Sequence, residues 1–225
     1  MYSIAIDGPA GAGKSTIAKA VARKIGFIYV DTGAMYRTMA LYFLREGIDG
    51  HDRERVAAEC PNIRVTLDYD SEGNQHIYLN GEDVSSLIRQ EEVGKMASLT
   101  SAIPEVRAAL LDLQRDLART NNVLMDGRDI GTHVLPDASL KIFLTASADV
   151  RARRRYDELT EKGIPCDYDR IREDIIQRDR QDTEREISPL RQAEDAILLD
   201  SSDLSIPEVI DRVIEYFEDI KNRND

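Results

Sequence analysis

One stretch constrains this chain more than any other: Gly8-Pro9-Ala10-Gly11-Ala12-Gly13-Lys14-Ser15, followed by Thr16. It fits G-x-x-x-x-G-K-S in full, and its flanks match the motif. Ser3 to Ile6 reads as a short buried strand, while Ile17, Val21 and Ile25 recur at helical spacing over Lys14 to Ile25. Glycine and proline make the residues between them a loop. A loop that turns from a strand into a helix lets backbone N–H groups converge on phosphate oxygens, and the helix start adds its positive dipole. Lys14 can reach β- and γ-phosphates. The Ser15 hydroxyl can serve Mg²⁺ directly or through water, and Thr16 adds a hydroxyl near the α-phosphate. These residues predict a site for a nucleoside triphosphate.

The pattern further along predicts the surrounding fold. Phe27 to Val30 is an apolar run of strand length, and a second helix is expected from Ala34 to Glu46, stopping at Gly47. Strand-helix-strand-helix order favours a parallel sheet with right-handed crossovers. Ile63 to Leu67 then alternates apolar and polar residues, His76 to Leu79 is a second short strand, and Asn80-Gly81 is a hairpin signal before Glu82 to Val84. This predicts a small antiparallel sheet inserted into an α/β domain. Helical patterns run from Glu91 to Arg119 with a break near Pro104, and Val123 to Asp126 and Leu140 to Leu144 are further buried strands. Arg151 to Arg185 reads as charged helix broken at Gly163-Ile164-Pro165. Ile197 to Asp200 is the last strand, and Ser205-Ile206-Pro207-Glu208 is a capping box that opens a final helix. No repeat and no long linker divides the chain.

Charge and composition exclude several classes. The 225 residues carry a net charge of -12, which argues against general nucleic-acid or acidic-membrane binding. Residues 192–225 hold 3 basic and 10 acidic side chains, whereas residues 151–191 balance 11 of each, so the arginine-rich stretch is the one suited to meet an anion. Cys60 and Cys166 stand alone, which argues against a disulfide framework and fits a reducing compartment. No apolar run reaches the roughly 18 residues of a membrane span, and the N-terminus lacks the basic start of a signal peptide. Location in the cytoplasm is the expectation. His51, His76 and His133 are scattered, with no metal or triad pattern.

Four segments in this order and spacing carry a resemblance over essentially the whole chain: the phosphate loop, Asp31-Thr32-Gly33-Ala34-Met35-Tyr36-Arg37, Asp126-Gly127-Arg128-Asp129-Ile130-Gly131-Thr132, and Arg178 to Arg185. Together they resemble the bacterial cytidylate kinases. The resemblance implies an α/β P-loop kinase fold, a five-stranded parallel sheet flanked by helices. A nucleoside-monophosphate (NMP)-binding lobe with the small antiparallel sheet, and a lid, are inserted into that core. It implies a core of 1–32, 120–147 and 192–225, a lobe of about 33–119 and a lid of about 148–191. The implied reaction moves the γ-phosphoryl group of ATP, with Mg²⁺, to CMP or dCMP, in a monomer. Gly8 to Thr16 would hold ATP, and Ser15 the metal. Thr32, Tyr36, Arg37, Ser98, Arg107, Arg128, Asp129, Arg178, Asp182 and Arg185 would meet the acceptor. Ser98, Arg107 and Asp129 resemble cytosine readers and Asp182 a ribose partner, while Lys14, Arg128, Arg178 and Arg185 would act on the transferring phosphates. Thr32 stands where serine is often found, and keeps the hydroxyl.

The residues by themselves leave other readings open. Asp31 could cap the following turn, or act as base in a P-loop kinase for a hydroxylated small molecule. A non-catalytic nucleotide-binding regulator would keep the loop alone. Arg128 and Asp129 could form a structural ion pair. Arg151, Arg153, Arg154 and Arg155 could be a solvated helix face, since their spacing keeps them from meeting one anion; as lid residues, Arg153 and Arg185 would close onto polyphosphate.

Overall fold

The computed structural model describes residues 1–224; Asp225, the last residue of the expected core segment 192–225, lies outside the described residues. Five parallel strands form the central sheet: β1 (Ser3–Asp7), β2 (Ile28–Asp31), β6 (Val123–Gly127), β7 (Leu140–Thr145) and β8 (Ile197–Asp200), in the order β2-β6-β1-β7-β8. β6 is buried along its whole length, as a strand covered by helices on both faces must be. Successive residues of β1 point to opposite faces. Ala5 joins an apolar cluster with Met35, Phe43, Val106 and Met125, while Ile4 and Ile6 join a second with Val21, Leu124 and Val213. The first cluster lies beneath α2 (Thr32–Arg45), α4 (Glu91–Thr100) and α5 (Pro104–Thr120). The second lies beneath α1 (Lys14–Ile25) and α8 (Ile206–Asn224).

The expected insert is present. β3 (Val65–Tyr69), β4 (Gln75–Leu79) and β5 (Glu82–Asp83) form an antiparallel sheet. Asn80 and Gly81 both take positive φ, 51° and 93°, as a two-residue hairpin turn requires. Pro104 starts α5 rather than kinking a longer helix, because its missing N–H costs nothing in the first turn. α6 (Ala148–Glu161) and α7 (Tyr168–Glu184) flank the Gly163 break. The capping box at Ser205 is formed, with Ser205 N–H and Oγ both donating to Glu208 Oε2 at 2.8 and 2.6 Å.

Two elements had no strong sequence signal. α3 (Arg53–Glu59) is only seven residues long and buries one residue, Val56, so it carries too little periodicity to stand out. A single wide turn over Ile130–Val134 follows β6, and its register is set by tertiary contacts described below.

Gly8 is required sterically. Its φ is 151°, and a Cβ there would sit 1.9 Å from the Leu144 carbonyl oxygen on β7. Gly8→Ala must therefore push β1 and β7 apart at the mouth of the sheet. We expect a loss of at least ~1–3 kcal/mol, the usual cost of overpacking, read as a lower melting temperature, together with loss of nucleoside triphosphate binding. Gly13→Ala, where nothing lies within 4 Å of the added Cβ, should cost less stability.

Candidate active site

Three of the parallel strands deliver a buried carboxylate to the region of the phosphate loop. Asp7 closes β1, Asp31 closes β2 and Asp126 lies next to the end of β6. Loops at the C-terminal ends of parallel strands are where open α/β sheets build sites. Each carboxylate holds a different part. Asp7 accepts from the backbone N–H groups of Ile130 and Gly131 at 2.8 and 2.7 Å, which fixes the wide turn after β6. Asp31 caps α2 by accepting from Ala34 N–H at 2.8 Å, so the capping reading holds. It also takes Arg37 and Arg89 at 3.1 and 3.3 Å. Asp126 accepts from Ser15 Oγ at 2.8 Å and from the Tyr29 hydroxyl at 2.9 Å.

Above these ends lies a cleft of about 790 Å³. Ala10 to Thr16 line one end of it, and Thr32, Tyr36, Arg37, Ser98, Arg107, Arg128, Asp129, Arg178, Asp182 and Arg185 line the same space. Gly8 and Pro9 do not: both are buried beneath the loop, and Pro9 contributes its carbonyl, which accepts from Lys14 Nζ at 2.7 Å. Close packing against β7 takes Gly8 out of reach. Thr32 Oγ donates to the Asp126 carbonyl at 2.7 Å, tying α2 to β6 and leaving only lone pairs for a ligand.

The charged groups form a mesh. Arg128 and Asp129 do not pair with each other: Arg128 Nε donates to Asp182 at 2.7 Å, while Asp129 pairs with Arg107 and lies 3.6 Å from Arg185. Burial opposes ionisation of Asp182, yet Arg128 beside it holds its carboxyl below the usual range. Arg178 makes no salt bridge among the described residues; burial, then the neighbouring Arg128, lowers its pKa. Burial, then Arg128, also brings Lys14 down to about 7. Buried side-chain atoms without a hydrogen-bond partner gather here as well: Arg37 Nε, Ser98 Oγ, Arg107 Nε and Arg178 Nε all belong to cleft residues. Buried polar groups are rarely left so. A polar, anionic ligand would satisfy them.

The four clustered arginines of α6 have four fates. Arg151 is buried, donates to the Ala146 and Ala10 carbonyls at 2.9 Å, and forms a fork with Asp179 on α7. The solvated-face reading fails for it, and it locks both helices to the phosphate loop. Arg154 donates to the Ser201 carbonyl at 2.6 Å. Arg155 is exposed and pairs with Glu158. Arg153 stacks over the rings of Tyr156 and Tyr168, and so does not meet the cleft as expected of it. Asp7 escaped the sequence reading, and Arg151 was read there only as part of a solvated helix face. The only signal for Asp7 was its place at the end of β1, and Arg151 differs from its neighbours only in helical phase.

The comparisons agree with this geometry. A model of the family described as "Cytidylate kinase" matches residues 4–219. The chain belongs to the cytidylate kinase family. A relative named "Cytidylate kinase" from Exiguobacterium sp. is 51% identical over 218 residues, covering 97% of each chain. Another from Caldicellulosiruptor bescii is 52% identical over 217 residues, covering 96% of this chain and 95% of that one. Among solved structures, an uncharacterized protein from Eubacterium ventriosum superposes with a TM-score of 0.52 at 12% identity, covering 97% of this chain and 99% of that one; it speaks for the fold alone. The chain is thus a kinase, and the cytidylate kinase family implies ATP as its phosphate donor. Among the described residues no helix is long and apolar enough to cross a membrane.

Burial gives this cytidylate kinase family member a reversed pH response at two acids. Desolvation raises both Asp7 and Asp126 from the ordinary 3.8 to about 6. Between pH 6 and 3.8 the folded protein therefore holds protons that the unfolded chain releases. Each acid's ionisation opposes folding above pH 6, and that penalty vanishes as pH falls. Asp126→Asn removes its share, up to about 3 kcal/mol. We expect the melting temperature of ligand-free Asp126→Asn, relative to wild type, to be highest near pH 7 and to fall steadily toward pH 4. A difference independent of pH would contradict the assignment.

Proposed function

We propose that the protein transfers the γ-phosphoryl group of ATP to CMP or dCMP, giving ADP and CDP or dCDP. The observation that carries this reading is one cleft lined by the phosphate loop, the Arg107–Asp129 pair and four further arginines: Arg37, Arg128, Arg178 and Arg185. The 4-amino group of cytosine is a donor that an Asp129 carboxylate oxygen can accept, and the unpartnered Ser98 hydroxyl belongs to the same cleft lining. Arginine forks suit a monophosphate, which they grip with two parallel hydrogen bonds. At pH 7 that phosphate is mostly the dianion, with a second pKa near ~6. It is its own nucleophile and needs no general base. The chain's part is to hold donor and acceptor in line and to neutralise charge on the transferring group through Lys14, Arg128, Arg178 and Arg185. Asp31 is a poor base for a neutral alcohol, since Ala34 N–H, Arg37 and Arg89 already occupy its lone pairs.

The donor set fits Mg²⁺. Ser15 Oγ and Asp126 offer two hard oxygens beside the loop, and Mg²⁺ prefers few protein ligands with phosphates and water completing its shell. Bound there, it supplies charge neutralisation at the β- and γ-phosphates. Asp182 suits a ribose hydroxyl. We assign a core of 1–32, 120–147 and 192–225, an acceptor lobe of about 33–119 and a lid of about 148–191, in a monomeric cytoplasmic protein. The two free cysteines and the charge of -12 support that setting.

A coupled assay across CMP, dCMP, UMP and AMP tests the reading. CMP or dCMP should turn over fastest. Lys14→Ala should abolish most turnover at unchanged melting temperature. Asp129→Ala should weaken CMP binding and narrow the preference over UMP by on the order of 1–3 kcal/mol, with ATP affinity unaffected. Equal turnover of all four acceptors would overturn it.

The lid has its own test. Only Asp182 of α7 is buried, so little apolar packing anchors that helix. Hydrogen exchange over residues 148–191 should slow when an analogue bridging ATP and CMP is added. Equally slow exchange without it would mean a rigid wall.

A further inference from the structure

Tyr29 is 9% exposed and belongs to the apolar cluster beneath α1, with Ile17, Val21 and Leu124. Among the described buried residues of that cluster it alone carries a polar side-chain atom. Phenylalanine would fill the same space, so packing does not call for the hydroxyl. That hydroxyl donates to Asp126 Oδ1 at 2.9 Å, while Ser15 Oγ donates to Asp126 Oδ2 at 2.8 Å. Leu124 is the register partner of Tyr29, and Asp126 lies two residues further along β6, on the same face. The phenol therefore reaches diagonally from β2 to β6.

The consequence lies in the freedom of the carboxylate. The last torsion of an aspartate is broad, with no sharp staggered minima. Held by Ser15 alone, Asp126 could turn about that torsion. With one donor on each oxygen, its plane is fixed. Tyr29 is itself braced. β2 is an edge strand, paired with β6 on one side. On β2 the small antiparallel sheet takes two backbone groups with side chains: the Tyr69 hydroxyl donates to the Tyr29 carbonyl at 3.2 Å, and Asp31 N–H donates to Gln75 Oε1 at 2.9 Å. Tyr29 does not line the cleft, whereas Ser15 and Asp126 do.

We propose that Tyr29 is a positioning residue for the metal-holding pair: by occupying Asp126 Oδ1 from outside the cleft lining, it keeps the carboxylate in the orientation in which Oδ2 and the Ser15 hydroxyl serve a divalent cation together. The proposal rests on the Mg²⁺ site proposed above and not on the identity of the acceptor. Tyr29 touches neither nucleotide nor cation; it acts through Asp126.

The test measures metal binding directly, on the whole protein. The probe is Mn²⁺, titrated into protein saturated with ADP, with free Mn²⁺ read by electron paramagnetic resonance. ADP affinity in EDTA, by calorimetry, and the melting temperature are measured beside it. Tyr29→Phe removes only the hydroxyl and leaves the ring in its cluster. We expect the Mn²⁺ dissociation constant to rise about tenfold, the low end of the roughly 10- to 100-fold loss that follows removal of a hydrogen-bond partner from a ligating group. ADP affinity in EDTA should stay within about twofold. Asp126→Asn should itself weaken Mn²⁺ binding, and in that background Tyr29→Phe should change the constant by less than about twofold, because the carboxylate it orients is gone. An unchanged Mn²⁺ constant in Tyr29→Phe, even with a lower melting temperature, would make the hydroxyl a purely structural one and overturn the proposal. An equal loss of ADP affinity in EDTA, or full additivity with Asp126→Asn, would overturn it as well. Mn²⁺ binding that Asp126→Asn leaves unchanged would overturn the metal site and this proposal together, whereas binding weakened by Asp126→Asn and untouched by Tyr29→Phe would overturn this proposal alone.

Discussion

Asp7, Asp31 and Asp126 sit where three parallel strands end, and the site depends on how their burial is compensated. A buried carboxylate is tolerated only when its lone pairs are used. Here each is used by a different segment: the turn after β6, the start of α2 with Arg37, and Ser15 of the phosphate loop. The demand that each acid be satisfied thus fixes three cleft segments to one sheet. Asp31 and Asp126 are also register partners on β2 and β6, so their mutual repulsion raises Asp126. That repulsion favours any cation brought between them.

The arginine mesh extends the same logic outward. Arg128 leans on Asp182, Arg107 and Arg185 on Asp129, and Arg37 on Asp31. Unpaired, these guanidinium groups would repel one another across the cleft. Paired, they are held with their remaining N–H groups directed at a shared space. The pairs offer little net stability, since burying both partners costs about what their attraction returns. Their value lies in preorganisation: little has to reorganise when charge develops on a transferring phosphoryl group.

How much of this was legible depended on whether a residue's role is local. The phosphate loop and α1 could be read directly, because glycine, lysine and a 3.6-residue period act over neighbouring positions. The five core strands were legible as apolar runs to within a residue or two, and Asn80-Gly81 announced its hairpin. The cleft's arginines and acids were found through the resemblance carried by the Asp126 to Thr132 and Arg178 to Arg185 segments. What stayed hidden acts across the fold. Asp7 holds a turn 123 residues away. Arg151 reads like Arg153, and only helical phase sends one beneath the phosphate loop and the other over two tyrosine rings. α3 buries a single valine, too weak a pattern to notice. Gly8 and Pro9 sit inside the motif yet face away from the cleft, since a sequence pattern does not distinguish a residue that shapes a loop from one that touches its ligand.

Electrostatics explains why so acidic a protein can hold two nucleotides. The cleft walls carry nine lysine and arginine side chains against five acids, a local excess of positive charge in a chain of net charge -12. The remaining surface is therefore strongly negative, which discourages non-specific polyanions, while the enclosed positive field draws small ones inward. Within that field Lys14 is buried. Burial, then the neighbouring Arg128, pulls its pKa well below the ordinary lysine range. Negative charge from a polyphosphate beside the ammonium group would oppose these effects, because it favours the charged form. The carboxylates paired to the arginines work in the opposite sense, as internal anions that keep each guanidinium in place until a phosphate shares it. Charge in this cleft is thus arranged before any substrate arrives, which suits a site whose substrates and products differ in how one phosphoryl group is divided between them.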